Sequence, residues 1–389
     1  MNTFETDAAF VAHTYARFPV EIVGGKGSVL TGSDGKSYID LGSGIAVNTL
    51  GVCDAGWIKA VTDQLHRFGH TSNLYYSAPC ANLAAELCAR TGMQKVFFSN
   101  SGAEANECAV KAARAYGAAK HGADCYTILT LKNSFHGRTL TTLAATGQDA
   151  FHEKFQPLTP GFVSIEPTPA ALAAALDTYR VAAVLFEIVR GEGGVLPLDK
   201  AFVDALVKEA AAHDFLLMCD EVQCGNGRSG TLYAYMQYGL SPDVVTTAKG
   251  LCGGLPLGAT LLGDKVADLF TPGSNGSTFG GNPIAAAGAL YVLSKLDDDL
   301  LAGVRRKSAM ICEALTGAPG VGSVTGLGLM LGVQTALPAK EVASRCIGRG
   351  VLVLTAKDKV RLLPALNIPD DLLMQALGIL KDICAEGVQ

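Results

Sequence analysis

Charge is scarce in this chain, and it carries no basic excess. Charged residues make up 17% of the 389 positions and the formal net charge is -5, so the surface offers no positive field to recruit a nucleic acid or another polyanion. The opening residues, Met1-Asn2-Thr3-Phe4-Glu5-Thr6-Asp7, put acids where a secretory leader needs a basic region, and no apolar run reaches the length of a bilayer span. A cytoplasmic protein with no membrane partner is expected. Eleven cysteines occur without a CxxC pair or compact spacing; an odd, scattered set is expected as buried thiols of a reducing compartment, not as a disulfide frame. Also missing are GxxxxGK[ST], HExxH and GxSxG, which removes the signatures of P-loop, zincin and nucleophile-elbow chemistry. No internal repeat, low-complexity tract or Pro/Ser-rich linker interrupts the chain.

What is present is apolar and long enough for a sizeable core, with 49% hydrophobic residues and a length that favours two domains. Through the middle, short β-branched runs alternate with alanine-rich stretches, the pattern of an α/β fold with a largely parallel sheet. Strands are predicted at 95–99, 126–131, 181–187, 215–220 and 244–247, and helices at 103–120 and 200–213. The ends differ in texture. Strands punctuated by glycine are predicted at 27–30 and 36–41, and after them a helix at 287–296, a strand at 326–333 and a terminal helix from Pro369. Residues 1–50 and 291–389 are therefore expected to build one small domain from both termini, around a large domain at 51–290.

Two residue types carry the chemistry. Asp220-Glu221-Val222-Gln223 ends the apolar run 215–219, and Lys249 follows in Thr246-Thr247-Ala248-Lys249-Gly250. A lysine among apolar and small residues can have its pKa lowered until its amine is nucleophilic, and a carboxylate at a strand end can hold a proton on a nitrogen heterocycle. Pyridoxal phosphate needs both. Ser99-Asn100-Ser101-Gly102-Ala103-Glu104-Ala105 lies between a strand and a helix, where backbone N–H groups could take a phosphate, although Ser101 and Glu104 alone also fit an ordinary capping box. Asn133-Ser134-Phe135-His136-Gly137-Arg138-Thr139 offers a ring to cover a flat cofactor and a guanidinium to grip a carboxylate; by themselves Phe135 reads equally as core, Arg138 as a solvated charge, and His136 carries no signal. Glu187 ends a strand and Glu192 sits in Gly191-Glu192-Gly193-Gly194; each in isolation is an ordinary acid. Gly225, Gly227 and Gly230 formally satisfy GxGxxG, but Asp220 and Glu221 stand where a pyrophosphate would approach. His66 and His70 could share a helix face, which is too few ligands for a metal site, and no metal is expected.

In order along nearly the whole chain, these pieces resemble the fold-type I, class III aminotransferases that use pyridoxal phosphate. Joining those above are Ser43-Gly44-Ile45-Ala46-Val47-Asn48, Gly276-Ser277-Thr278-Phe279-Gly280-Gly281-Asn282-Pro283 and Val360-Arg361-Leu362-Leu363-Pro364. The resemblance implies that Lys249 carries the cofactor as a Schiff base, Asp220 pairs with the pyridine nitrogen, Gln223 bonds the phenolic oxygen, and Val222 and Phe135 sandwich the ring. Gly102, Ala103 and Ser101 would hold the phosphate. Thr278 would reach the phosphate of the neighbouring subunit, which implies a homodimer with shared sites. Arg138, Arg361 and Glu192 would bind substrate, Glu192 neutralising Arg361 when the donor has no carboxylate near the ring.

Within the class, Tyr15-Ala16-Arg17-Phe18-Pro19, His70-Thr71-Ser72-Asn73-Leu74-Tyr75 and Leu352-Val353-Leu354 most resemble members that pass the δ-amine of N-acetylornithine to 2-oxoglutarate, a step of arginine biosynthesis. Succinylornithine, ornithine or another ω-amine are the alternative donors, and a non-catalytic cofactor-binding protein is a remote one. The chain departs from the family pattern at Gly51-Val52-Cys53-Asp54-Ala55, where relatives carry a histidine-rich turn, at Asn275 in place of histidine, and at Thr325 in place of arginine.

Overall fold

Seven strands of the middle region form one sheet in a computed structural model that describes residues 1–388. They are β1 (Lys95–Ser99), β2 (Thr127–Leu131), β3 (Phe162–Ile165), β4 (Val181–Phe186), β5 (Leu216–Asp220), β6 (Val244–Thr247) and β7 (Gly258–Leu262). Their order across the sheet is β1-β7-β6-β5-β4-β2-β3. β2 to β6 run parallel to their neighbours among themselves, and β7 is antiparallel to both β6 and β1. Every residue of β4, β5, β6 and β7 is buried, as expected when helices cover both faces of a parallel sheet. Each fully buried Val or Leu there contributes ~1.5–3 kcal/mol of transfer free energy.

On one face lies the helix Gly102–His121, whose alanines allow close approach: Ala109, Ala112 and Ala113 are fully buried against Ile128, Ala183, Leu216 and Val244. At Gly117 an added Cβ would lie 2.1 Å from the Cys125 carbonyl oxygen, so this crossing tolerates no side chain. The helix Lys200–His213 packs on the other face through Phe202, Val203 and Leu206. Parallel strands in this order bring their carboxyl ends, Asp220 and Thr247 among them, to one edge, where ligands of open α/β sheets bind.

The two ends of the chain meet in a second sheet. Ser37–Asp40 pairs in parallel with Val351–Leu352 and antiparallel with Val29–Gly32, which pairs with Ile22–Lys26. A third, wholly antiparallel sheet orders Val321–Leu327, Met330–Thr335, Lys359–Leu362 and Leu354–Ala356. The terminal helix Asp370–Ala385 starts after Pro369. Two predicted strands straddle turns: Gly27 (φ +61) bends the chain inside 27–30, and Gly328 (φ +58) makes a hairpin inside 326–333. Around Gly328 apolar residues continue on either side, so the pattern hides the bend, whereas Gly27 sits between Lys26 and Ser28 and the strand itself begins at Val29. His66 lies in the last turn of the helix Ala55–Arg67, whereas His70 lies beyond it and packs against Phe279 at 5.3 Å; the two do not share a helix face. The cysteines are free, and Cys53 is exposed where a buried thiol was expected. No described helix is long and apolar enough to cross a membrane.

Candidate functional site

At the end of β5, the carboxylate of Asp220 is buried and surrounded by donors. Its Oδ2 accepts from His136 Nδ1 (2.8 Å) and Asn106 Nδ2 (2.7 Å), and its Oδ1 from the Val222 N–H (3.0 Å). Asn106 is oriented in turn, its Oδ1 accepting from Thr246 Oγ1 (2.7 Å) and its Nδ2 also reaching the His136 carbonyl (2.8 Å). Together these donors satisfy both oxygens of a carboxylate that burial removes from water. Glu187, one residue past β4, is a second buried acid. Its Oε2 accepts from the Phe135 N–H (3.0 Å) and its Oε1 from the Gly191 N–H (3.4 Å). Burial raises its pKa to about 7, with Asp220 adding and His136 opposing.

Lys249 opens the turn Lys249–Leu251 with φ +44, a conformation uncommon for a residue with a side chain. The turn is fastened on both sides: Thr49 Oγ1 donates to the Gly250 carbonyl (2.7 Å), and the indole of Trp57 donates to that of Cys252 (2.8 Å). Burial pushes the Lys249 pKa down and the Arg361 charge adds to this, while Glu192, Asp220 and Glu187 oppose it. Beside it, residues 43–46 form a left-handed turn with φ between 47° and 65°, braced by Asp40 Oδ1 accepting from the Gly42 (2.8 Å) and Ser43 (2.9 Å) N–H groups.

The helix Gly102–His121 points its start at this edge. Ser101 Oγ accepts from the Glu104 N–H (3.2 Å), while Glu104 Oε2 accepts from the Asn100 N–H (2.8 Å) and from Ser101 Oγ (3.1 Å). The cap is thus made, and the N–H groups of Gly102 and Ala103 in the first turn keep no intrahelical partner. A Cβ on Gly102 would lie 2.6 Å from Val222 Cγ1, and one on Gly258 of β7 would lie 2.3 Å from the Ser101 carbonyl oxygen. Gly258→Ala is accordingly expected to push the helix start out of place and destabilise the fold by about 1–3 kcal/mol, read as a lower Tm together with weaker phosphate-ligand binding; an unchanged Tm would contradict the close fit.

A cavity of about 600 Å³ joins these parts, with Ser101, Gly102, Ala103, Phe135, Arg138, Asp220, Val222, Gln223 and Lys249 on its wall. Arg138 is exposed, its guanidinium carbon 4.2 Å from the centre of the Phe151 ring and 5.5 Å from that of Phe135. Arg361 is buried behind Gln223: its Nη1 donates to Glu192 Oε1 (2.5 Å) and Gln223 Oε1 (3.1 Å), and Gln223 Nε2 reaches the same Glu192 oxygen at 3.4 Å. Burial acts to raise the Glu192 pKa, but the Arg361 charge and hydrogen bond, with Lys249 and Gln223, outweigh it and leave it lowered. Thr278 is not brought to the cavity; it lies exposed beside Phe279.

Sequence reasoning set aside His136 and Glu187 and did not single out Asn106. Its place directly after the strand-to-helix motif 99–105 was the one available signal for Asn106; for the histidine there was none. Of the departures, Asp54 caps its helix by accepting from the Trp57 N–H (2.8 Å), and Asn275 Oδ1 accepts from Lys111 Nζ (2.7 Å).

A model of the family described as aminotransferase class-III matches residues 10–384. The acetylornithine aminotransferase of Haemophilus ducreyi is 46% identical over 385 residues, covering 98% of each chain. The succinylornithine transaminase of Salmonella paratyphi A is 43% identical over 379 residues, covering 95% of this chain and 93% of the relative. Among solved structures, an ornithine aminotransferase from Toxoplasma gondii, described with partial occupancy of PLP at its active site, superposes with a TM-score of 0.94 at 29% identity, over 99% of this chain and 94% of that one.

Proposed function

This chain belongs to the class-III aminotransferases, and from that premise we propose that it moves the δ-amine of N-acetyl-L-ornithine to 2-oxoglutarate, giving N-acetyl-L-glutamate 5-semialdehyde and L-glutamate, a reaction of arginine biosynthesis. The observation that carries the reading is Arg361 paired to Glu192 behind Gln223, with Arg138 at the cavity's exposed side. Such a pair suits an enzyme that must accept, at one site, a donor with a distal carboxylate and a donor with two.

The enzyme is pyridoxal-phosphate dependent, as its family is, and the residues fit that group. A buried lysine with a depressed pKa faces the cavity, a donor-ringed carboxylate sits on the same wall, and free N–H groups at Gly102 and Ala103 open a helix. When bound, the cofactor supplies an aldehyde that condenses with amines and a ring that delocalises an electron pair. Asp220 would keep a proton on the pyridine nitrogen, with His136 and Asn106 fixing its orientation. Lys249 would bind the aldehyde at rest and, once displaced by a substrate amine, carry a proton between the substrate carbon and the cofactor as general acid and base. Gln223 would hydrogen-bond the phenolic oxygen, Val222 and Phe135 would flank the ring, and Ser101, Gly102 and Ala103 would hold the phosphate. Arg138 would take the α-carboxylate of the ornithine derivative. Arg361 would take that of glutamate once Glu192 swings aside.

We assign the small domain to residues 1–50 and 291–389 and the large one to 51–290. The exposed Leu74, Tyr75, Tyr76 and Phe279 support a homodimer in which Thr278 reaches across to the neighbouring cofactor, since so much apolar surface in one region favours a partner. We place the enzyme in the cytoplasm.

The near-equal identity to a succinylornithine transaminase supports a second reading with that donor. Purified enzyme assayed with acetylornithine, succinylornithine, ornithine and 4-aminobutyrate as donors to 2-oxoglutarate decides between them: acetylornithine is expected to give the highest kcat/KM, and a higher value for another donor would reassign the substrate. Arg361→Ala should lower the glutamate half-reaction roughly tenfold to a hundredfold, the worth of one charged hydrogen-bond pair, and the acetylornithine half-reaction much less. Equal losses in separately measured half-reactions would remove Arg361 from the role.

A further inference from the structure

The turn that carries Glu192 ends on a strained residue. Val195 is fully buried with φ +56, a left-handed conformation that a β-branched side chain holds only when its surroundings impose it. Two hydrogen bonds do so: the Val195 N–H donates to the Gly191 carbonyl (3.2 Å), and the Val195 carbonyl accepts from Thr325 Oγ1 (2.9 Å). The same hydroxyl accepts from Lys359 Nζ (2.8 Å). An ammonium has only donors, so it fills a lone pair of Thr325 and commits the single hydroxyl proton to Val195.

Lys359 is itself buried, and burial pushes its pKa down with Asp358 opposing. An ammonium taken from water to meet a neutral hydroxyl is unfavourable in itself, so its place calls for a reason. Gly332 on the adjacent strand leaves room for both side chains: a Cβ there would lie 2.9 Å from Val195 Cβ and 3.1 Å from Lys359 Cδ. Lys359 and Arg361 alternate on one face of the strand Lys359–Leu362. One strand thus grips the turn twice, at the Glu192 carboxylate through Arg361 and at Val195 through Thr325.

We propose that Thr325 and Lys359 are positioning residues that hold the 191–195 turn closed, so that Glu192 rests on Arg361 and the enzyme's preference between donors with one and two carboxylates is set from outside the substrate cavity. The proposal rests on the roles given above to Glu192 and Arg361. With the hydroxyl gone, Glu192 leaves Arg361 more readily, which favours glutamate and exposes the acylornithine to an unshielded cation.

The test uses the holoenzyme and its Thr325→Val, Thr325→Ser and Lys359→Met variants, measuring the two half-reactions separately and backbone hydrogen exchange over 191–195. Thr325→Val is expected to speed exchange of the turn about tenfold and to raise the glutamate-to-acetylornithine ratio of kcat/KM about fivefold or more; Thr325→Ser should stay with wild type. If Thr325→Val does not fold, Lys359→Met is expected to show the same two changes. An unchanged ratio with equal loss in both halves, or unchanged exchange, overturns the proposal. Wild-type enzyme inactive on both donors would instead overturn the functional reading, while the exchange comparison would still decide whether Thr325 holds the turn.

Discussion

Lys249→Ala should lower turnover with acetylornithine and 2-oxoglutarate by about 10⁴-fold or more, the upper range of what a positioned general acid/base supplies, since covalent capture of the cofactor is lost along with proton transfer. The lysine is suited to both tasks: burial depresses its pKa, and its φ of +44 aims it from a turn fixed by Thr49 and Trp57. Alanine meets the same backbone demand as lysine, so the substitution tests the amine and not the fold. Lys249→Arg retains a cation without a nucleophile and should be nearly as inactive. The measurements are steady-state turnover and the visible absorbance of the cofactor. Catalysis within tenfold of wild type, with cofactor bound, would sink the assignment of Lys249.

Asp220→Asn should be the second most damaging change, lowering kcat by about 10³-fold, the scale on which a preorganised electrostatic partner acts. Three donors converge on this carboxylate. An amide offers one acceptor oxygen and turns its N–H₂ group against the others, leaving a buried donor unpaired at roughly 1–3 kcal/mol. Both kcat and Tm should therefore fall, and cofactor affinity should weaken. His136→Phe, which removes one donor and leaves the carboxylate in place, should cost much less in kcat. A variant at position 220 that kept kcat within tenfold of wild type would show that ring protonation does not depend on this group.

The central strands were legible because burial on both faces writes continuous apolar runs, such as 181–186 and 216–219. Asp220 and Lys249 were legible because each ends or follows such a run. His136 was not: its meaning comes from a contact with a residue 84 positions away, and a single histidine in a loop has no local pattern. Glu187 was passed over for the same reason, since what distinguishes it is that two loops bring N–H groups to one carboxylate. The strand at 326–333 was misdrawn because its turn glycine lies within unbroken apolar sequence, and that at 27–30 because the glycine between Lys26 and Ser28 belongs to the turn before the strand. Arg361 was named for its role as a substrate clamp, but that Gln223 shares its bond to Glu192 is a matter of packing between sheets that share no local sequence.

Trp57 is the sole tryptophan of the chain, and its indole is tied to the carbonyl of Cys252, at the end of the turn that Lys249 begins. The protein therefore contains one tryptophan fluorophore, located beside the lysine proposed to hold the cofactor. Its emission should be quenched by energy transfer to a bound, visibly absorbing cofactor and should change as that absorbance changes with each substrate. Loading and both halves of the catalytic cycle can then be followed in the unlabelled enzyme from a single signal, without a coupled assay.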